Sequence, residues 1–225
     1  MIDDTTPKGK LIEAALRLAE TRKWSDITLL DIAEAANMPL VEVRKAAGSK
    51  SQLLAGFMRA VDDEILKTIA ARTAGQPARD QLFEVIMARF DALTPYKAAV
   101  KSIHRSGMAD TALIMPFLNS QRWMLTAAGV QVDGPAGLVR TLGLGSLYAA
   151  VFSTWLDDDD PGMARTMAAL DRRLRSGERT LSAVDGAMNT LHRLVTDIPA
   201  VFRAACTRRP AASPAAPAGE DAKPV

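Results

Sequence analysis

Cysteine is almost missing from this chain: Cys206 stands alone among 225 residues, so no internal disulfide can form and a reducing compartment suits the protein. Aromatic residues make up only 5% and alternating β-branched runs are scarce, which removes the pattern of a half-buried strand and leaves an all-helical chain as the expectation. The only histidines, His104 and His192, lie far apart, and neither adjoins the cysteine. With no G-x-S-x-G or H-E-x-x-H motif, the sequence offers no nucleophile beside its base and no zinc pair, and a non-enzymatic protein without cofactor is expected. Charge of one sign is lacking too, since 28 Lys and Arg against 26 Asp and Glu leave a formal +2. No run reaches the roughly 18 to 20 apolar residues of a spanning helix. The longest uncharged stretch, Thr141 to Leu156, contains Gly143, Gly145, Ser146, Ser153 and Thr154 and reads as a buried helix. The opening MIDDTTPKGK has no apolar centre of a signal peptide, so a cytoplasmic location is expected.

What is present is a strongly punctuated segment, TLLDIAEAANMPLVEVRKAAGSKSQLL, from Thr28 to Leu54. Thr28 can cap a helix starting near Leu29, with Asp31 as the acidic partner of a capping box. Ile32, Ala35 and Ala36 recur at helical spacing as its buried face. Asn37 tolerates the left-handed conformation that ends a helix, and Pro39 fits the opening of the next, expected over Leu40 to Ala47. Gly48 stops that helix. Ser49 then caps a longer one carrying Leu53, Leu54, Phe57, Val61, Ile65 and Leu66. Before this segment, Leu11, Ile12, Ala15, Leu16 and Ala19 form an apolar stripe, and Trp24 and Ile27 close the small core.

This succession resembles the TetR family of transcription regulators, on Thr28 before Asp31-Ile32-Ala33 and on Ser49-Lys50 at the start of the fourth helix. The resemblance implies a helix-turn-helix domain over residues 1–54, a long connecting helix over 55–73, and a homodimer that binds double-stranded operator DNA. Where the family usually has a phosphate-contacting Tyr and a core-anchoring Phe, this chain has Arg44 and Ala47. Arg44 can still meet a phosphate through its guanidinium. Ala47 cannot fill a Phe-sized hole, so a neighbour such as Phe57 must compensate or the helix sits loosely. The DNA-facing set is expected to be Thr28, Leu40, Val41, Glu42, Arg44, Lys45 and Lys50. Two aliphatics can touch thymine methyls and a Glu can accept from cytosine, a sparse set for base edges. Over residues 1–60 nine basic residues meet eight acidic ones, so phosphate attraction has little net charge behind it.

Beyond Thr73-Ala74-Gly75-Gln76-Pro77, a natural boundary, helices are expected over Ala78 to Leu93, Lys97 to Ser106, Asp110 to Ala128, Ala136 to Leu156, Pro161 to Ser176 and Leu181 to Ala205. Residues 76–206 would form a C-terminal domain for dimerisation and ligand sensing. Residues 207–225, rich in Pro and Ala, would be a disordered tail. The run Trp155-Leu156-Asp157-Asp158-Asp159-Asp160-Pro161 with the segment from Met163 to Leu174, together with Phe90-Asp91-Ala92-Leu93, Pro95 and Trp123-Met124-Leu125, resembles ubiquinone-biosynthesis lipid-binding proteins of TetR-like fold. That resemblance implies an alternative: a lipid-binding accessory protein in quinone biosynthesis whose helix-turn-helix is degenerate, with peripheral membrane contact.

Four consecutive aspartates suit a hard cation, but no spaced Gly and distal Glu complete a calcium loop, and acids ahead of Pro161 suit a helix start, so no metal site is expected. Met87, Phe90, Met108, Met115, Trp123, Tyr148 and Phe152 are either plain core or the lining of a pocket for a small hydrophobic ligand or lipid. Gly143 and Gly145 would permit close approach of a second subunit. The last helix, with Leu191, Leu194, Val195, Ile198, Val201 and Phe202 on one side and basic residues on the other, suits either an anionic membrane surface or a dimer interface.

Overall fold

A computed structural model of the chain describes residues 2–69, 75–106 and 110–177, and no strand occurs among them. The expected last helix from Leu181, the tail, Met108, His192 and Cys206 lie outside the described residues. The first helix, α1 (Pro7–Thr21), is capped by Thr6, whose hydroxyl accepts from the Gly9 amide, and buries Leu11, Ile12, Ala15, Leu16 and Ala19. A 3-10 turn at Trp24–Asp26 then sinks Trp24 and Ile27 into the core. Both belong to the small core foreseen from sequence.

Thr28 and Asp31 form a reciprocal capping box at the start of α2 (Leu29–Ala35). Asn37 turns the chain at φ 50°, and Pro39 leads into α3 (Leu40–Ala46). Two details depart from the sequence reading. In α2 the residue beside Ile32 in the core is Ala33, while Ala35 is exposed. Ala47 is the C-cap of α3 and is 3% exposed; with Val43 it seats the helix on the core.

The connecting helix α4 (Lys50–Thr68) starts under the Ser49 hydroxyl and buries Leu53, Leu54, Phe57, Val61 and Ile65, whereas Leu66 remains partly exposed. Its described span closes at Thr68, and the last part of the expected connecting helix, 70–73, lies outside the described residues. Then follow α5 (Ala78–Leu93), a 3-10 turn at Thr94–Tyr96, α6 (Lys97–Arg105), α7 (Ile114–Ala127) and α8 (Gly134–Leu156). A further helix, α9, covers 164–177 and places Leu170 and Leu174 in the core. Its start lies after Pro161 because Asp160 accepts from the amides of Gly162 and Ala164, forming a capped turn first.

In packing, α1 contacts α2, α3, α4 and α6, and α4 runs from that group to α5 and α7. By length and composition α8 could cross a membrane. It is also a packed helix: Leu144, Tyr148, Val151, Trp155 and Leu156 are buried, and Gly145 lies so near α7 that a Cβ there would come within 3.1 Å of Phe117. Gly143 meets nothing within 4 Å, so of the two glycines only Gly145 serves a contact inside the subunit.

Candidate nucleic-acid interface and the helical interior

Helix α3 divides its seven residues sharply. Val43 is buried, while Leu40 and Val41 are 56% and 61% exposed and Glu42, Arg44 and Lys45 are exposed beside them. Large aliphatics in water at the first turn of a helix contribute nothing to folding, and here they sit with two cations that make no ion pair among the described residues. Of the nearby acids, Glu42 is exposed on the same helix and Asp31 is committed elsewhere. Asp31 pairs with Arg22 at 2.9 Å and accepts from Thr28, and those hydrogen bonds, Thr28 first, hold its carboxyl well below the usual range.

Two members of the expected DNA-facing set are turned to other work. The Thr28 hydroxyl accepts from the Asp31 amide and donates to Asp31 Oδ2, so its hydrogen-bonding is spent on the cap. Lys50 does not point outward. Its Nζ donates to the carbonyls of Trp24 at 2.8 Å and Ile27 at 2.6 Å and lies 4.7 Å from the Trp24 ring centroid. Burial lowers its pKa, and Asp26 and Asp31 partly offset that. The reason is geometric: the 3-10 turn leaves carbonyls facing the start of α4, and a long cation there satisfies them. Lys50 therefore latches the three-helix head to α4.

Farther along, α6 joins this head to the rest. Ser102 Oγ donates to the Arg22 carbonyl at 3.0 Å at the end of α1. On the other side Lys97 donates to the Asp158 carbonyl, and Lys101 to the Leu156 carbonyl at 3.0 Å, placing two cations at the C-terminus of α8, where the helix dipole favours them. Asp157 completes the clasp with Lys101 at 3.0 Å. Three of the four aspartates in the run, Asp157, Asp158 and Asp160, thus have their own structural partners. Asp158, 1% exposed, accepts from Thr166 N at 2.8 Å and Oγ1 at 2.7 Å; burial opposes its ionisation, yet these bonds outweigh it and lower its pKa. Among the described residues no group of three His, Cys, Asp or Glu is placed to hold a metal ion.

The expected pocket residues separate into two sets. Phe90 stacks on Tyr148 at 5.4 Å and Trp155 at 5.5 Å, and Phe152 stacks on Tyr148 at 5.9 Å, so Phe90, Tyr148 and Phe152 fill the interior with one another. Met87 packs half-buried against that core. Met115 and Trp123, by contrast, are 63% and 55% exposed on α7 and line a groove of about 690 Å³ against α4.

Sequence reading missed the polar centre of the interior. Arg89, 3% exposed, donates through Nη1 to Asp62 and through Nε to the Tyr148 hydroxyl at 3.1 Å, and Ser120 Oγ donates to the same Asp62 oxygen at 2.7 Å. Burial pulls the Arg89 pKa down, but Tyr148 and Asp62 outweigh it and raise it; burial likewise raises that of Tyr148. Next to this network the fully buried Gln121 has no partner among the described residues for either amide atom. A signal was available. Leu82, Ile86, Arg89 and Leu93 lie on one apolar helical stripe, as do Phe117, Gln121 and Leu125, so polar residues interrupt two core faces.

Three crystal structures share this architecture. The TetR transcriptional regulator from Nitrosomonas europaea ATCC 19718 aligns over 76% of this chain and 97% of its own, with a TM-score of 0.59 and 22% identity. A TetR transcriptional regulator from Rhodococcus sp. RHA1 aligns over 77% and 98%, with 0.57 and 20%. A tetR-family transcriptional regulator from Streptomyces coelicolor aligns over 84% and 88%, with 0.52 and 20%. At such identities the likeness is one of fold, and the fold is TetR-like. No family model matches the sequence, and no curated protein matches it significantly.

Proposed function

We propose that this protein is a TetR-type transcription regulator that binds operator DNA as a homodimer. The observation that carries the reading is the outward face of α3, where Leu40, Val41, Arg44 and Lys45 are exposed together on a helix held to its domain by Val43 and Ala47. Such a helix fits the major groove, with the aliphatics against thymine methyls, Glu42 accepting from a cytosine amine, and the two cations on phosphates or guanine edges. Lys50 acts indirectly, by fixing the angle at which α3 leaves α4. A chromosomal target implies a cytoplasmic protein.

The partner surface is the open side of α8. Leu138, Val139 and Leu142 are 57%, 43% and 50% exposed, with Gly143 beside them offering no side chain. Docked on a second copy, this face would bury aliphatics that the single chain leaves in water. Because α6 grips both the end of α8 and the end of α1, a ligand that shifts the helices around α8 would move the two reading heads and change operator affinity by population shift.

Selection from a random duplex pool, followed by footprinting, tests the proposal. The expected outcome is a two-fold symmetric site with half-sites about 10 base pairs, or a multiple of that, apart. Enrichment of no sequence above background would reject it.

A further inference from the structure

We propose that the groove between α4 and α7 is a binding site for a small aromatic anion, a carboxylate or sulfonate carried on a flat apolar ring. Its volume of about 690 Å³ falls within the range of about 300 to 1,000 Å³ typical of small-molecule sites. The two faces of the seam supply complementary chemistry. Trp123 and Met115 both line it while standing 55% and 63% exposed, an aromatic face and a polarisable thioether with little to pack against. Arg59 and Arg122 line it as well, and neither forms an ion pair among the described residues.

Charge decides the sign of the occupant. The one carboxylate among the described lining residues, Asp62, already accepts from Arg89 and Ser120. A cationic ligand would find that charge answered, whereas an anion meets two free guanidiniums with planar forks suited to it. A third cation stands behind Arg59: Lys8 of α1 has its pKa lowered, first by burial and then by Arg59 itself. The groove floor, Asp62 and Ser120, is also the edge of the buried network that ties α4 to α5 and α8, so an occupant would press on that junction. As a sensor the site rests on the regulator reading; as a binding site it does not.

Tryptophan emission tests it in the full chain without DNA. Trp24 and Trp155 are 0% exposed, which leaves Trp123 as the tryptophan open to collisional quenching by acrylamide. Anilinonaphthalene sulfonate should bind one per subunit and shield Trp123 from acrylamide. The neutral probe N-phenylnaphthylamine should bind more weakly. The double variant Arg59→Gln/Arg122→Gln should weaken the sulfonate about tenfold or more and leave the neutral probe unchanged, since two charge-assisted contacts are lost. Equal affinity for both probes, no effect of the double variant, or sulfonate binding that leaves Trp123 open would each overturn the site. A chain that binds the sulfonate but selects no DNA keeps this site and loses the regulator reading; the reverse result does the opposite.

Discussion

Removing Arg89 should be far more damaging than removing the whole ion pair to which it belongs. The Arg89 and Asp62 side chains are 4% and 10% exposed, so Arg89 is sealed from water and Asp62 meets it only at the groove floor when the partner goes. In Arg89→Met the Asp62 carboxylate keeps only the Ser120 hydroxyl, and the Tyr148 hydroxyl loses the Arg89 Nε donor. An uncompensated buried charge of this kind costs about 3 to 5 kcal/mol. In Asp62→Leu/Arg89→Met both charges leave together, and well-packed apolar replacements of a buried pair are often neutral or stabilising by about 1 to 4 kcal/mol. The double variant should therefore be more stable than Arg89→Met by several kcal/mol, giving a large negative coupling energy in the cycle. Urea unfolding followed by circular dichroism at fixed protein concentration reads this. With an m-value of about 2.5 kcal/mol per M, Arg89→Met should lose about 1 to 2 M in midpoint and the double variant should recover most of it. A loss below about 1 kcal/mol in Arg89→Met, or additive losses in the double variant, would show that the network is solvated rather than sealed.

Lys50→Met should lower stability by about 1.5 to 3 kcal/mol, because two carbonyls lose a charged donor, and thermal unfolding will show whether the latch exists. Asp158 has a depressed folded-state pKa, so its stabilisation is present above the unfolded carboxyl value and is lost as pH falls through the folded one. Asp158→Asn should accordingly flatten the acid limb of stability against pH, and an unchanged acid limb would refute its role. Gly137→Ala should destabilise by about 1 to 3 kcal/mol, since a Cβ there would lie 2.0 Å from the Val132 carbonyl oxygen; a neutral result in denaturant unfolding would mean the turn before α8 is relaxed. Leu142→Asp should shift the chain from dimer to monomer in light scattering if the open face of α8 is the partner surface.

Local chemistry made most of the helices readable before any coordinates. The Thr28–Asp31 box, Asn37 at positive φ, Ser49 as a cap and the bounds of α5 all follow from residues within a few positions of one another. What escaped depends on distant partners. Lys50 looks like a surface cation until the carbonyls of Trp24 and Ile27 are brought to it. Arg89, Asp62 and Gln121 are ordinary polar residues by type, and only their places within apolar stripes hint at burial. That acids ahead of Pro161 suit a helix start was legible, but which acid caps which turn depends on Thr166 and on the start of α9. The two arginines of the groove carry no sequence signature, since they converge from helices about sixty positions apart.

The proposed function requires the exposed side of α3 to read base sequence. Fluorescence anisotropy with a selected duplex and a scrambled one, at fixed salt, measures this for the native chain and for Arg44→Ala/Lys45→Ala. The claim predicts a preference of about a thousandfold or more for the selected duplex, largely lost in the double variant. Equal, weak and equally salt-sensitive binding of both duplexes by the native protein would contradict it.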